Sequence, residues 1–284
     1  MDVDVPTRTV VEALVGPDGT VDAGELYDVA GVLGMSDQQV RLCLKRLVAE
    51  GKFSQDGRGR RAVLRMTPDA LRAAEPDVEF VRFMYRQDAG EVTWDGVWHL
   101  VAFGVPESQR PARDALRDAI VRFGGAALHG GLYVSPHDWE ELVEGEASRL
   151  GVVDSVTFLT SSDLRVGVER DPVALAARLW PLTDVAARHE RLAEVARLRL
   201  RLLGEELDRT ALLRIAVEVA AEFTRAVEPD PLLPPELLPR PWVGAQARAL
   251  VARCWAALAR RSDELPALFR TYAGVVADAA FGVA

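Results

Sequence analysis

Lysine is almost missing from this chain: Lys45 and Lys52 are the only two among 34 basic residues, and 43 acidic residues leave a formal net charge of −9. A chain this acidic lacks the diffuse positive field of a non-specific nucleic-acid coat, so any polyanion contact must come from a local cluster. Cysteine is equally scarce. Cys43 and Cys254 lie far apart in apolar helical patterns, which argues against a disulfide framework and for buried free thiols in a reducing cytoplasm. The four histidines (His99, His129, His137 and His189) show no metal-ligand spacing, and neither cysteine has a Cys or His neighbour, so no metal site is expected. Apolar runs stay far short of the roughly 18–20 residues that span a bilayer. The opening MDVDVPTRTVVEALVG places acids before its apolar stretch and offers no cleavage site, so it is not read as a signal peptide. Gly124-Gly125 and Gly130-Gly131 form neither a phosphate loop nor a dinucleotide fingerprint and fit turns at strand ends. No serine sits in a G-x-S-x-G elbow. No cofactor and no catalytic set are expected.

What is present is a folded chain of 284 residues, 49% hydrophobic and 27% charged, long enough for two or three domains. Its charge is unevenly spread. Between Val40 and Arg65 stand eight basic residues against Glu50 and Asp56, so this window is +6 and the remainder −15. Upstream, a helix is expected over Thr7–Val15, broken by Gly16-Pro17-Asp18-Gly19. A second is expected from Gly24 to Leu33, with Leu26, Val29, Ala30 and Leu33 at helical spacing. After the Gly34-Met35 turn, Ser36 is a suitable N-cap for a third helix, Asp37–Glu50, which Gly51 would end.

On that third helix Val40, Leu44, Leu47 and Val48 fall on one side at about 100° per residue. The other side presents Gln38, Leu42, Lys45, Arg46 and Ala49, with Arg41 at its edge. An amide, cations and one aliphatic group suit a major groove: Gln can bond adenine, Arg can read guanine and Leu can touch a thymine methyl. Helix, glycine turn and helix form the helix-turn-helix pattern; a solvated amphipathic helix would look similar taken alone. The residues after Gly51 favour DNA. The β-compatible runs Lys52–Gln55 and Ala62–Met66 flank Asp56-Gly57-Arg58-Gly59-Arg60, an arginine-tipped hairpin placed as the wing of a winged helix. Arg58, Arg60 and Arg61 there can meet phosphates or enter a minor groove.

Thr67-Pro68-Asp69 starts a further helix, and residues 72–92 read as a connector. From Trp98 the pattern is strand (to Val105), helix (through Ile120–Phe123), strands Ala126–His129 and Gly131–Ser135, helix Asp138–Leu150, and strand Ser155–Thr160. The order βαββαβ is the ferredoxin-like arrangement. Beyond Asp171-Pro172 the pattern is helical: Leu182–Leu203, Leu207–Val227, Val243–Arg261 and Leu265–Val276. Six prolines between Pro229 and Pro241 interrupt it with a stiff crossing, read as a packing strap.

The stretches VRLCLKRLVAEGKF (40–53), WDGVWHLVAFGVPE (94–107), GGLYVSPHDW (130–139) and EPDPLLPPELLPRPWVGAQAR (228–248) together resemble the PaaX family, over about residues 8–270. The resemblance implies an α+β regulator from bacteria: a winged helix-turn-helix DNA-binding domain (1–71), the connector (72–92), a ferredoxin-like middle domain (93–163) and an all-helical C-terminal domain (164–284) with the proline-rich crossing at 229–241. It implies a cytoplasmic homodimer that binds a double-stranded operator, represses a catabolic operon, and is released by an acyl-CoA effector such as an aryl-acetyl-CoA. No membrane partner is implied. Two departures stand out. Leu42 and Lys45 occupy positions where the family carries small or hydroxyl residues, so the operator should differ. Phe103-Gly104-Val105-Pro106 stands where the family has F-D-I-P. Ferredoxin-like CRISPR-associated nucleases hold a metal with an acid on the first strand, and Gly104 supplies none.

The expected DNA contacts are Ser36, Gln38, Gln39, Arg41, Leu42, Lys45, Arg46, Arg58, Arg60 and Arg61. Within them Gln38, Leu42 and Arg46 would read bases, while Lys45, Arg46 and the hairpin arginines would hold phosphates. Trp94, Trp98, His99, Arg110 and Arg113 are close in sequence and could hold an aryl-acyl thioester and its phosphates, or could simply pack the domain. The competing readings are a nuclease or thioesterase on the ferredoxin-like domain, which lacks a convergent acid, base or metal set, and a DNA-binding regulator without effector.

Overall fold

The computed structural model describes residues 3–16 and 18–261 together with 274, 276 and 280; for 71–78 it describes the backbone. The expected helix at Leu265–Val276 lies largely outside the described residues. The chain is a mixture of helices and two small antiparallel sheets, an α+β arrangement. It divides into two compact units. One takes the chain up to Ala89, Arg188–Ala226 and the chain from Val243 onward; the other takes Gly90–Ala187 and Val227–Trp242.

The first unit begins with α1 (Thr7–Ala13), β1 (Thr20–Asp22), α2 (Ala23–Val32), α3 (Asp37–Ala49), β2 (Phe53–Asp56) and β3 (Val63–Met66). β1, absent from the sequence reading, is three residues long and pairs with β3, whose other edge takes β2. Three residues are too few to show an alternating pattern. α2 starts one residue earlier than expected because the Asp22 side chain accepts from the Glu25 amide at 2.8 Å. It closes through Gly34, whose φ of 81° lets the Met35 amide reach back to the Ala30 carbonyl at 2.9 Å, a left-handed glycine cap. Gly51 ends α3 in the same way: φ is 69° and the Lys52 amide donates to the Leu47 carbonyl at 2.9 Å.

The stretch read as a connector is helical to Asp88: α4 (Pro68–Asp88) starts from Thr67 and runs on through Pro76. α8 (Leu182–Leu202) from Arg188 on, α9 (Arg209–Val227) up to Ala226, and α10 (Val243–Ala259) are the further helices of this unit among the described residues. Ion pairs tie α8 to α9: Arg191 spans both oxygens of Glu222 at 3.0–3.1 Å, and Arg199 meets Glu218 at 2.6 Å. Arg225 also closes on Glu222, whose side chain is 2% exposed. α9 holds the N-terminal block through three arginines: Arg209 pairs with Glu25 at 3.0 Å, Arg214 donates to the Val32 carbonyl at 2.6 Å, and Arg225 to the Asp4 carbonyl at 2.7 Å. Both cysteines are free. Cys254 is buried against the Ala196 carbonyl, and burial pushes its thiol up to about 12, whereas Cys43 is only half-buried, contrary to expectation.

The second unit is built on β4 (Trp98–Phe103), α5 (Arg110–Arg122), β5 (Ala126–His129), β6 (Leu132–Ser135), α6 (Glu140–Arg149) and β7 (Val156–Ser161), followed by α7 (Pro172–Leu179). The strands lie in the order β5-β6-β4-β7, all antiparallel. Alternation along β4 sends Val101 to the face covered by α5 and α6, where Leu116, Ile120, Tyr133, Trp139 and Val143 pack. Trp98 and Leu100 face the other way, onto Ala176 of α7 and Trp180 just after it, and onto Leu233, Leu237 and Leu238 of the proline-rich crossing. The crossing is therefore a strap whose leucines complete a core. The Trp180 indole N–H donates to the Gly124 carbonyl at 2.9 Å.

Gly125 is a point of close approach: a Cβ there would press on the Trp139 indole and lie 2.8 Å from the Ile120 carbonyl. Trp139 is itself 1% exposed and has nowhere to yield. Gly125→Ala is expected to cost about 1–3 kcal/mol by overpacking, read as a lowered urea midpoint, with a wild-type midpoint contradicting the packing.

Candidate nucleic-acid interface

α3 carries the candidate interface, and its start is held firmly. The Gln39 amide donates to Ser36 Oγ at 3.3 Å, while the Ser36 amide and hydroxyl donate to Gln39 Oε1 at 2.8 and 2.9 Å. This reciprocal capping box engages two of the residues expected to touch DNA. Ser36→Ala is therefore expected to cost about 1 kcal/mol of stability, measured by chemical denaturation; a loss in DNA affinity with unchanged stability would assign Ser36 to contact instead.

Val40, Leu44 and Leu47 are buried, and Gln38, Arg41, Leu42, Lys45, Arg46 and Ala49 are exposed, Leu42 by 54%. Val48, expected inside, is instead exposed by 37%. It lines a groove of about 330 Å³ between α3 and the β2–β3 hairpin, with Leu44, Gln55 and Ala62 in its walls and Arg41, Lys45 and Arg58 among its lining residues. The hairpin tip contains a short 3₁₀ turn, Gly59–Arg61, and Gln55 braces it by donating to the Gly57 carbonyl at 3.1 Å.

The three hairpin arginines divide. Arg60 turns back on its own fold, ion-paired with Asp28 and 5.5 Å from the centroid of the Tyr27 ring. It anchors the hairpin to α2. Arg58 and Arg61, like Arg41, Lys45 and Arg46, have no acidic partner among the described residues. The nearby acid Glu50 is taken by Arg8 of α1 at 3.5 Å. Positive charge thus stays uncompensated along α3 and the hairpin. Sequence reasoning missed Tyr27 and Asp28, whose partner lies 32 residues on, a separation without periodic signature.

The five residues considered for an effector are not brought to one space. Trp98 is 2% exposed and sits in a ring stack with Trp180 at 6.3 Å, with Trp94 edge-on at 5.0 Å. His99, the next residue along β4, points to the opposite face and meets Glu140 at 2.8 Å. His99 holds the Glu140 carboxyl below its ordinary range, against the opposing effect of burial, and Glu140 in turn raises that of Asp138. Arg110 and Arg113 start α5, beyond the far end of β4, and pair with Glu107 and Asp114.

Residues 91–173 match the family model described as PaaX protein central Cas2-like domain, and 180–267 match that of PaaX-like protein C-terminal domain. The transcriptional repressor PaaX of Escherichia coli (strain K12) is 29% identical over 262 residues, covering 87% of this chain and 79% of that protein. Among solved structures, the uncharacterized protein Rv0674 from Mycobacterium tuberculosis has a TM-score of 0.52 at 24% identity, with 90% of this chain and 94% of that one covered, a likeness of fold.

Proposed function

The chain belongs to the PaaX family, and from that premise we propose that it is a DNA-binding transcriptional repressor, a regulator and not an enzyme. The observation that carries the reading at residue level is the run of cations without acidic partners among the described residues, Arg41, Lys45, Arg46, Arg58 and Arg61, beside exposed Gln38 and Leu42. Residues 1–71 act as a winged helix-turn-helix: α3 enters the major groove, the β2–β3 hairpin is the wing, and β1 completes its small sheet. Lys45, Arg58 and Arg61 take phosphates. Gln38, Leu42 and Arg46 face base edges. Arg60 positions the wing through Asp28. The strand order of the second unit supports a ferredoxin-like fold for residues 93–163; of the stretch expected as a helical C-terminal domain, most of α9 and α10 fall in the first unit, while α7 and the proline-rich crossing fall in the second.

The repressor acts as a homodimer on a two-fold operator, because one α3 reads only one half-site. An acyl-CoA-type effector releases it by binding more tightly to a dimer whose α3 spacing no longer fits; equal affinity for both states would shift nothing. No helix among the described residues is long and apolar enough to cross a membrane, in keeping with a cytoplasmic site of action.

The test is a fluorescence titration of the purified chain on DNA upstream of its own gene, against scrambled DNA, with and without a panel of acyl-CoAs. Selective binding supports the repressor, and release by one thioester supports the effector. Equal affinity for both DNAs removes the operator reading; binding untouched by every thioester leaves a repressor without that effector class.

A further inference from the structure

The pairing of β4 with β6 sets His99 opposite Ser135. The turn that leaves β6 for α6 therefore passes beside the His99 imidazole. That turn is shaped by the Ser135 hydroxyl, which accepts from the His137 amide at 3.1 Å, and anchored by the buried Trp139 ring. Glu140, first residue of α6, directs Oε1 to His99 Nδ1 at 2.8 Å, while its Oε2 accepts from the Trp139 amide at 3.0 Å. The carboxylate is thus fixed on both sides. Asp138 brings a second carboxylate: one ligand atom each from His99, Asp138 and Glu140 lie within 4.8 Å of one another.

A histidine–glutamate hydrogen bond needs no third member. Asp138 is exposed, and its carboxylate is nonetheless turned toward Glu140 and His99. Two carboxylates converging on an imidazole nitrogen are what a cation requires. With metal–nitrogen and metal–oxygen bonds of about 2.0–2.2 Å, tetrahedral ligand atoms stand about 3.3 Å apart. Small side-chain rotations would bring the three atoms there, with the proton that His99 Nδ1 shares with Glu140 given up to solvent and the imidazole left as its Nε2–H tautomer. One imidazole with two carboxylates suits a first-row divalent cation; calcium asks for 6–8 oxygens.

We propose that His99, Asp138 and Glu140 form a binding site for a divalent transition-metal ion such as Zn²⁺ or Mn²⁺, with a coordination position open to water on the exposed side. The site is separate from α3 and the hairpin and from the Gly104 position, and its existence does not depend on the repressor reading. The fold assembles it across 41 residues of sequence, which is why histidine spacing alone argued against any metal.

The experiment is calorimetric titration of ZnCl₂, and separately MnCl₂, into the full chain after chelator treatment. One ion per chain is expected for at least one of the two metals. Affinity should fall by more than about 100-fold in His99→Ala and Glu140→Gln, since an outer-shell partner alone is worth about 10–100-fold. Asp138→Asn lies on an exposed turn and leaves the fold intact, so it tests the site even if His99→Ala does not fold. In the wild-type chain, Mn²⁺ should also broaden the His99 imidazole proton resonances ahead of those of His129. Absence of saturable binding of either metal, or stoichiometric binding unchanged in Asp138→Asn, overturns the proposal.

Discussion

Alanine at Lys45, Arg58 and Arg61 together is expected to flatten the dependence of log operator affinity on log salt by about 2.7, three phosphate contacts at about 0.9 each. Raising salt from 50 to 200 mM should then cost the variant about 40-fold less affinity than it costs the native protein. The three cations have no acidic partner among the described residues, so their charge is available to release counterions from DNA. Arg60 supplies the contrast. Its charge is already matched by Asp28, so Arg60→Ala should weaken binding through a displaced hairpin while changing the slope little. Gln38→Ala should lower operator affinity and leave the slope alone, because loss of a base contact costs about 1–3 kcal/mol of discrimination. Titrations at four salt concentrations separate these cases. An unchanged slope in the triple variant would remove the hairpin and α3 from the phosphate contacts.

The largest loss of stability is expected at Arg248. Its side chain is 3% exposed and holds Asp88 with two bonds of 2.6 Å, while the Tyr85 hydroxyl donates to the Arg248 carbonyl at 3.2 Å. These contacts pin the end of α4 to α10. Arg248→Ala leaves the Asp88 carboxylate, 16% exposed, without its bidentate partner, and should cost about 3–5 kcal/mol. At about 2–4 °C per kcal/mol for chains of this size class, the melting midpoint should fall by about 6–20 °C. Removing both charges, as Arg248→Met with Asp88→Leu, should cost less than Arg248→Met alone, because no charge is then stranded. Equal midpoints for the native protein and Arg248→Ala would show that the pair is not structural.

Elements whose causes lie within a few residues were legible in the sequence. The Ser36 cap, the buried stripe Val40–Leu44–Leu47, the Gly51 stop and the two hairpin strands all depend on neighbours in the chain. So does the succession of strands and helices from Trp98 to Ser161. Contacts over longer separations were not legible. β1 exists because β3 offers it an edge, and α4 continues through Pro76, a residue that on local grounds ends a helix. Val48 lies exposed because the hairpin leaves a groove on that flank of α3. The pairing of Arg60 with Asp28 and Tyr27 was not legible because those partners belong to another helix. His99 read as a neighbour of Trp98, yet the pleat sends the two to opposite faces.

The strap has a consequence for how the molecule is made. Leu233, Leu237 and Leu238 sit in the same core as Trp98 and Leu100, so the second unit cannot be completed when its sheet leaves the ribosome. About 135 further residues must be synthesised between Trp98 and Leu233, on the order of 10 s at about 5–20 residues per second. During that interval the Trp98 face of the sheet lacks the strap's share of its cover, with only α7 and the residues just after it in place. The first unit waits as well, since α10 comes after the strap. Birth of this protein is thus closer to a single closing event once the strap and α10 have been made than to a sequence of domains finished in chain order. A ribosome stalled before Leu233 should hold a chain that proteases cut readily and that chaperones recognise.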